Sequence, residues 1–377
     1  MTPPRVAVLG AAVGPSRNAV WRACRDAGMD VVMVGAILRF RDPGNPGLPF
    51  RTLPRLSLPG GRGTLWKIYL GLGRALAEIR PDVVHVHSEP WGLLALQGMA
   101  AARRAEALVA LHGADNRFDH GGPAERRVRI GILRRVLPRI DGYASWNSAG
   151  VRLARRHGLR PDAPSTVAPV MLPDPSRFHP PNAAERAAAR DRFGLPRDGV
   201  IVGLLGRLVP EKGAADALAA LRRLGDRAPF LVVWGQGPLE ARLRAELAGA
   251  IRGRFGGRLD YRDMAEALRA CDLVMVPSRT GAQWEEQFGR VAVEALASGC
   301  AVVAYRSGAL GEVLEEGGVL VPEGDTEALA EAIGRLSRDD TERREIAAKG
   351  LAWFERRWHP RTVAADLVGL WHRMLGR

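Results

Sequence analysis

Short runs rich in valine, isoleucine and leucine alternate with amphipathic stretches along almost the whole chain, and this alternation limits the fold more than any other feature. Such runs are typical of parallel strands that are buried on both faces, and the stretches between them have the spacing of crossover helices. The pattern therefore predicts an α/β protein. At 377 residues, the chain is longer than one ordinary hydrophobic core supports, which favours two domains of roughly 150 to 200 residues each.

The predicted elements fall into two series. The first has strands over 6–9, 31–34, 83–86, 108–111 and 142–145, with helices near 16–27, 64–79, 91–104 and 124–137. The second has strands over 200–205, 230–234, 273–276, 301–304 and 319–321, each followed by a helix. Between them, the repeated prolines of APVMLPDPSRFHPP oppose both a helix and a central strand, so we place the connection between the domains there.

We therefore predict two Rossmann-like doubly wound domains, an acceptor-binding domain over 1–175 and a donor-binding domain over 176–358. The last segment, 359–377, is predicted to be a helix that packs back toward the first domain. Because such sheets bind ligands at the carboxyl ends of their strands, we expect the two domains to face a central cleft.

The composition excludes several classes of protein. The three cysteines are scattered without a C-x-x-C or Cys/His cluster, which argues against both a disulfide framework and a zinc site. The first residues contain only a brief apolar run, and no stretch reaches the roughly 18 apolar residues of a membrane-spanning helix. We expect a cytoplasmic protein, or one that is peripheral at the inner membrane face.

Positive charge is concentrated in the first half. Residues 1–180 contain 26 Lys and Arg against 13 Asp and Glu, whereas residues 181–377 contain 29 against 28. A basic half beside a neutral one indicates that one domain meets an anionic partner such as lipid headgroups, phosphate or nucleic acid. Because the arginines are not interleaved with aromatic residues, we do not expect nucleic acid to be the partner.

The segment GRLVPEKG, residues 206–213, directly follows an apolar strand and precedes a helical pattern. Arg207 and Lys212 would project from the carboxyl edge of the sheet. Two cations beside the free amides of a helix start suit a diphosphate, although an ordinary charged turn with Glu211 paired to an arginine explains the same residues.

The segment PSRTGAQWEEQFGRVAVEALASG, residues 277–299, combines a strand end, a polar loop, a glycine and a helix that carries an acid. Gly289 would open the helix and leave its first amides free for phosphate or sugar oxygens. Glu294, on the second turn, can accept both hydroxyls of a ribose, and Glu286, in the loop, can reach sugar hydroxyls. The alternative is a surface helix with incidental glutamates.

Together with the GQGP turn at 235–238 and the later GGVLVPEGD, these segments resemble glycosyltransferase family 4 over essentially the whole second domain. Two glutamates with seven residues between them form the donor signature of that family, and Glu286 and Glu294 match it. The resemblance implies a GT-B fold, a metal-independent enzyme without a cofactor, retention of anomeric configuration, and a nucleotide sugar as co-substrate.

The resemblance also implies roles for individual residues. Arg207 and Lys212 would hold the donor diphosphate and stabilise the leaving group. Glu286 would hold the sugar hydroxyls, and Glu294 the ribose. The remaining donor-binding positions are main-chain amides at Phe288, Gly289 and Arg290.

The first half resembles the family less, through DVVHVHSEPWGL and LVALHGAD. His112 follows a strand at the position where the family often has a histidine that contacts the donor sugar, so it joins the predicted catalytic residues, whereas His85 and His87 are interpreted as packing or turn residues. Gly14 is the candidate for backbone approach to the donor phosphate. Its loop, GAAVGPS, departs from the paired glycines of many relatives and is not a G-x-G-x-x-G fingerprint.

The predicted function is transfer of a hexose or aminohexose from a UDP- or GDP-sugar to a hydroxyl of a glycan, a lipid-linked saccharide or a small molecule. The alternatives are a nucleotide-sugar 2-epimerase of the same architecture and a non-catalytic nucleotide-sugar or anion binder. Residues 128, 132, 136 and 140 recur at helical spacing beside arginines, which suits either peripheral membrane contact or a core-facing helix. The long loop over 38–63 is expected to shape the acceptor site.

Overall fold

The computed structural model describes residues 2–10, 15–36, 47–57, 67–118, 122–249 and 251–377. The chain divides into two compact units, one formed by 1–172 together with 360–377 and the other by 173–359.

The first unit contains a parallel sheet whose central strands are the predicted apolar runs. Its strands are β1 Arg5–Leu9, β2 Asp30–Gly35, β3 Phe50–Thr52, β4 Arg55–Ser57, β5 Lys67–Tyr69, β6 Val83–His87, β7 Leu108–Gly113, β8 Gly142–Ser145 and β9 Ser165–Val167. Among the described residues, seven of these strands form one sheet in the order β3-β2-β1-β6-β7-β8-β9, and β4 pairs with β5 in a separate antiparallel hairpin.

The helices of this unit connect successive parallel strands. They are α1 Pro15–Asp26, α2 Leu72–Ile79, α3 Leu93–Arg104, α4 Pro123–Val136 and α5 Ser148–Arg156, and a 3₁₀ turn over Leu137–Arg139 extends α4. The predicted helix near 64–79 is wrong in its first part, because Lys67–Tyr69 pairs with β4 and the helix begins only at Leu72. The sequence Lys-Ile-Tyr has the β-branched and aromatic content that favours a strand.

The second unit is built on the same plan. Its strands are β10 Ile201–Leu205, β11 Phe230–Trp234, β12 Gly253–Gly257, β13 Leu273–Val276, β14 Ala301–Tyr305 and β15 Val319–Val321, and the sheet order within the described chain is β12-β11-β10-β13-β14-β15. Its helices are α6 Ala183–Arg192, α7 Ala214–Leu224, α8 Glu240–Ala248, α9 Met264–Arg269, α10 Arg290–Ala297, α11 Leu310–Leu314, α12 Thr326–Arg338 and α13 Asp340–Trp353.

Shorter helical turns complete this unit. The 3₁₀ turns cover Pro210–Lys212, Gly225–Arg227 and Tyr261–Asp263, and a π-helical turn covers Phe354–Trp358. At the start of the unit, Asn182 accepts from the amide of Glu185 while the Glu185 carboxylate accepts from the amide of Asn182, a reciprocal cap that fixes where α6 begins.

The final helix, α14 Pro360–Met374, belongs to the first unit. It packs against α1 and the ends of β8 and β9, and its Trp371 is completely buried there. The first unit is therefore made from both ends of the chain.

Each sheet reverses its strand order once, between β1 and β6 in the first unit and between β10 and β13 in the second. Each is thus a doubly wound Rossmann-like sheet with a buried apolar core, which confirms the predicted α/β class. In such sheets, ligands bind outside the carboxyl ends of the strands at this reversal. The segments that follow β10 and β13 lie there.

Candidate functional site

The turn after β10 packs directly on the segment that follows β13. Gly213 has a φ of 67°, and a Cβ at this position would lie 1.7 Å from the carbonyl oxygen of Pro277. The main-chain amide of Arg279 also donates to the carbonyl of Glu211 at 2.8 Å. Only glycine allows this approach, so the two motifs predicted from the sequence form one continuous surface.

Glu286 is the centre of this surface. Its Oε2 accepts from Lys212 Nζ at 2.6 Å and from Ser278 Oγ at 2.8 Å, and its Oε1 accepts from the amide of Gly289 at 3.2 Å. The residue is only 7% exposed. Three donors from the two segments therefore fix the carboxylate before any ligand arrives.

The backbone of Glu286 is held as firmly as its side chain. Its carbonyl accepts from the amide of Ala309, in the loop after β14, at 2.8 Å. Gly308 approaches the same peptide with a φ of 51°, and a Cβ there would lie 2.4 Å from the Glu286 carbonyl oxygen. The loops after β10, β13 and β14 thus all contribute to the position of this one acid.

The cationic side of the site consists of Lys212 and Arg207. Lys212 lies with its Nζ 4.8 Å from the centre of the Trp284 ring, and its side chain is 27% exposed. Its ammonium has three donors, of which Glu286 takes one. Arg207 is exposed, and within the described chain its guanidinium makes no ion pair. Both cations can therefore accept an anionic ligand.

Glu294 has a different environment from Glu286. It lies on the second turn of α10 and is completely buried, and neither of its carboxylate oxygens has a hydrogen-bond partner among the described residues. Arg290 Nε lies 3.2 Å from Oε1 without hydrogen-bond alignment. Burial raises the pKa of Glu294 to about 7, and the charges of Arg290 and Arg177 oppose this rise.

The side chains of Phe288 and Arg290 make contacts within the protein. Phe288 is buried and packs edge-to-face on Trp358, with ring centroids 5.3 Å apart. The amide of Gly289 already donates to Glu286. Arg290 lies 5.5 Å from the centre of the Tyr261 ring as well as beside Glu294.

His112, the predicted catalytic residue of the first unit, lies near the end of β7 and is 1% exposed. Its Nδ1 is 3.0 Å from Nε2 of His85, on β6, and its own Nε2 is buried without a hydrogen bond of ordinary geometry. Burial lowers the pKa of His112 to about 3, and the main chain at Ala168 opposes this. The imidazole is therefore neutral at physiological pH.

The remaining predictions concern Gly14, the 38–63 loop, the helix α4, membrane-spanning helices and metal sites. Gly14 and most of the 38–63 loop lie outside the described residues. Residues 132 and 136 on α4 and residue 140 after its 3₁₀ turn are buried whereas Val128 is 48% exposed, which is the arrangement of a core-facing helix with a solvated arginine face. None of the helices among the described residues is long and apolar enough to cross a membrane, and no cluster of His, Cys, Asp or Glu suited to a metal is found in the described ranges.

Four residues of the site were missed by the sequence analysis. Ser278 lies two residues after β13 and holds Glu286, and Trp284 lies on Lys212. Tyr261 lies between Arg290 and Arg177, at 5.5 and 5.3 Å from their guanidinium carbons. A polar residue just after an apolar strand is a usable signal for Ser278, but nothing in the local sequence marks Tyr261 or Arg177.

Comparison with known proteins identifies the family of the chain. The family described as glycosyl transferases group 1 matches residues 185–353, and the glycosyl transferase 4-like domain matches residues 12–170. The chain is 30% identical over 355 residues to D-inositol 3-phosphate glycosyltransferase of Saccharomonospora viridis, covering 88% of this chain and 79% of that one. It is 32% identical over 337 residues to 2-deoxystreptamine N-acetyl-D-glucosaminyltransferase of Streptomyces fradiae, covering 80% and 76%.

The fold is also that of solved structures in this class. The crystal structure of HepE from Anabaena superposes with a TM-score of 0.72 over 97% of this chain and 98% of that chain, at 21% identity. The predicted GT-B architecture of two Rossmann-like domains is therefore confirmed. The chain belongs to the group 1 family of glycosyl transferases and is a glycosyltransferase enzyme with the GT-B fold.

Proposed function

We propose that the protein transfers a hexose or aminohexose from a UDP- or GDP-sugar to a hydroxyl group, with retention of anomeric configuration and without a metal. The observation that carries this proposal is the Lys212–Glu286 pair at the strand-order reversal of the second sheet, where a cation and a hydrogen-bonded carboxylate are already in place. A nucleotide sugar has an anionic diphosphate beside a polyhydroxyl ring, and this pair offers a partner to each.

In this proposal, Lys212 and Arg207 bind the diphosphate and stabilise the charge that develops on it as the bond to the sugar breaks. Electrostatic stabilisation of a leaving group by fixed cations is worth most where water is excluded, and Lys212 is largely covered. Glu286 accepts from the sugar hydroxyls. The acceptor hydroxyl attacks from the face that the nucleoside diphosphate leaves, which gives retention.

Glu294 is proposed to bind the ribose. Its two carboxylate oxygens are buried without hydrogen bonds in the described chain, an unfavourable state for a polar group. Two adjacent hydroxyl groups would supply the missing donors, and a ribose presents such a pair. The main-chain amides at Phe288 and Arg290 remain the proposed contacts to the sugar and phosphate.

For the acceptor, we propose a hydroxylated six-membered carbocycle, either free or attached to a lipid. Two relatives with similar identity to this chain are named for such acceptors, D-inositol 3-phosphate in one and 2-deoxystreptamine in the other. Both rings are cyclitols with several equatorial polar groups, although their charges are opposite. The shared ring supports the class of acceptor and leaves its substituents open.

The test has two stages. A thermal-shift screen against UDP, GDP, ADP and their common sugars identifies the nucleotide, because a ligand that binds only the folded chain raises the melting temperature. Transfer from the selected donor to a panel of inositols and aminocyclitols is then measured in the presence of a chelator. Product analysis separates transfer, which forms a new glycoside, from 2-epimerisation, which forms an isomeric free sugar or donor.

Glu286→Gln tests the site directly. Loss of the carboxylate should lower turnover by about 10- to 100-fold, since one well-placed charged group contributes about 1.5 to 3 kcal/mol to a transition state. Glu285→Gln is the matched control, because it removes the neighbouring charge from the same loop. Equal turnover in the two variants would remove Glu286 from the proposed mechanism.

A further inference from the structure

A chain of hydrogen bonds connects the last helix to the centre of the first sheet. Trp371, on α14, places its Nε1 3.1 Å from Nδ1 of His85, and Nε2 of His85 lies 3.0 Å from Nδ1 of His112. All three side chains are at most 1% exposed. The three residues are 286 and 27 positions apart in sequence, so only the fold brings them together.

The protonation of both imidazoles follows from the indole. An indole N–H can only donate a hydrogen bond, so Nδ1 of His85 must be the acceptor. A neutral imidazole carries one proton, so that proton lies on Nε2 of His85, which donates to Nδ1 of His112. The remaining proton of His112 must then lie on its Nε2.

Both rings are neutral, as this assignment requires. Burial lowers the pKa of His85 well below its ordinary value, with a further decrease from His112, and burial lowers the pKa of His112 to about 3. The opposite tautomer of His112 would bring two N–H groups face to face inside the core, or would require His85 to turn its proton toward the indole. Either arrangement leaves buried donors without acceptors.

We infer that Trp371 is a positioning residue that fixes His112 as a hydrogen-bond donor through Nε2. His112 Nε2 is buried near the carboxyl end of β7 without a hydrogen bond of ordinary geometry, and the Ala168 main chain, which raises the pKa of the ring, is its partner in the unliganded chain. A ligand oxygen that binds this donor therefore replaces the Ala168 carbonyl. This inference rests on the proposed function and on the prediction from the sequence that His112 contacts the donor sugar. It assigns a role in the reaction to the last helix.

The tautomer can be observed directly. With histidine labelled with ¹⁵N, long-range proton–nitrogen correlation spectra distinguish the protonated ring nitrogen from the unprotonated one, and the His112 signals are assigned from their absence in His112→Asn. We expect the wild-type protein to show a protonated Nε2 and an unprotonated Nδ1 at His112, with the same pattern at His85. A protonated Nδ1 at His112 in the wild-type protein would overturn the inference without any variant.

Trp371→Phe removes the indole donor and keeps an aromatic ring. Trp21→Phe is the matched control, because Trp21 also packs edge-to-face on His85 at 5.5 Å and its buried Nε1 makes no hydrogen bond in the described chain. We expect Trp371→Phe to mix the tautomers of both histidines and to lower kcat/KM about tenfold, the effect of one misplaced hydrogen bond. Trp21→Phe should keep the wild-type tautomers.

Two results of the variants would refute the inference: unchanged tautomers in Trp371→Phe, or an equal loss of kcat/KM in the two variants. Failure of the proposed function is recognised separately. In that case the wild-type protein transfers no sugar from any donor tested, while the spectrum still reports the tautomers of His85 and His112.

Discussion

Replacement of Glu294 by glutamine should stabilise the protein at neutral and alkaline pH. Glu294 is completely buried in α10, and its oxygens have no hydrogen bonds among the described residues. Its pKa is raised from 4.5 to about 7, first by burial, with Arg290 and Arg177 acting in the opposite direction. The unliganded protein therefore carries a carboxylate that the fold does not satisfy.

The sign and size of the effect follow from proton linkage. Between pH 4.5 and about 7, the folded chain retains the proton on Glu294 and the unfolded chain releases it. The free energy of unfolding therefore falls as the pH rises through this window and stays low above it. At about 1.4 kcal/mol per pKa unit, the loss approaches about 3 kcal/mol.

Glutamine has nearly the same shape and no charge to bury. The Glu294→Gln variant should be about as stable as the wild-type protein near pH 5 and about 2 to 3 kcal/mol more stable near pH 8. Urea denaturation at the two pH values, followed by circular dichroism, gives the comparison. Glu345→Gln, at an exposed position on α13, is the control and should show no such pH-dependent difference.

The reasoning would be refuted if Glu294→Gln destabilised the protein equally at both pH values. That result would mean that the carboxylate makes favourable contacts in the folded chain when ionised. A stabilised variant that also loses nucleotide binding would instead indicate a site where an unsatisfied group is retained for a ligand.

Two further predictions concern the turn after β10. Lys212→Met should weaken nucleoside diphosphate binding about 10- to 100-fold in calorimetry, because a charged hydrogen bond is lost. Lys349→Met, at an exposed position on α13, is the control and should not weaken binding. Equal affinities of the two variants would exclude Lys212 from the phosphate site. Gly213→Ala should lower the free energy of unfolding by about 1 to 3 kcal/mol more than Gly225→Ala, because both have positive φ but only Gly213 lies against Pro277. Equal losses of unfolding free energy for the two variants in urea denaturation would show that the segment at Pro277 moves away from residue 213 without a loss of stability.

The central strands could be predicted from the sequence because they are buried on both faces. Val83–His87 and Leu273–Val276 consist almost entirely of β-branched and other apolar residues, and this pattern does not depend on their neighbours. The edge strands β3, β9 and β12 were missed for the opposite reason. Gly253–Gly257 contains three glycines and an arginine, and it is a strand only because β11 offers its backbone for pairing.

The candidate site was predictable where its residues are close in sequence. Lys212 and Glu286 each lie within three residues of a glycine at the start of a helix. This local pattern indicated phosphate and sugar binding. The surroundings of Glu294 were not predictable, because Arg177, which acts on its charge, and Tyr261, which contacts Arg290 and Arg177, come from segments more than 30 residues earlier. Burial and the absence of donors are tertiary properties, and they determine the pKa of this acid.

Glu286 and Glu294 form one sequence motif, but their environments differ. Glu286 accepts from Lys212, Ser278 and Gly289, so its position is set by the protein and a ligand must fit it. Glu294 accepts a hydrogen bond from no group in the described chain. Two ligand hydroxyls would therefore add more binding free energy at Glu294 than at Glu286. Because a buried acceptor gains most when it was previously unsatisfied, we expect the ribose end of the donor to contribute more binding free energy per hydrogen bond than the sugar end. Under the proposed function, Glu286, which three donors fix before the ligand binds, sets the geometry of the sugar at the reacting carbon.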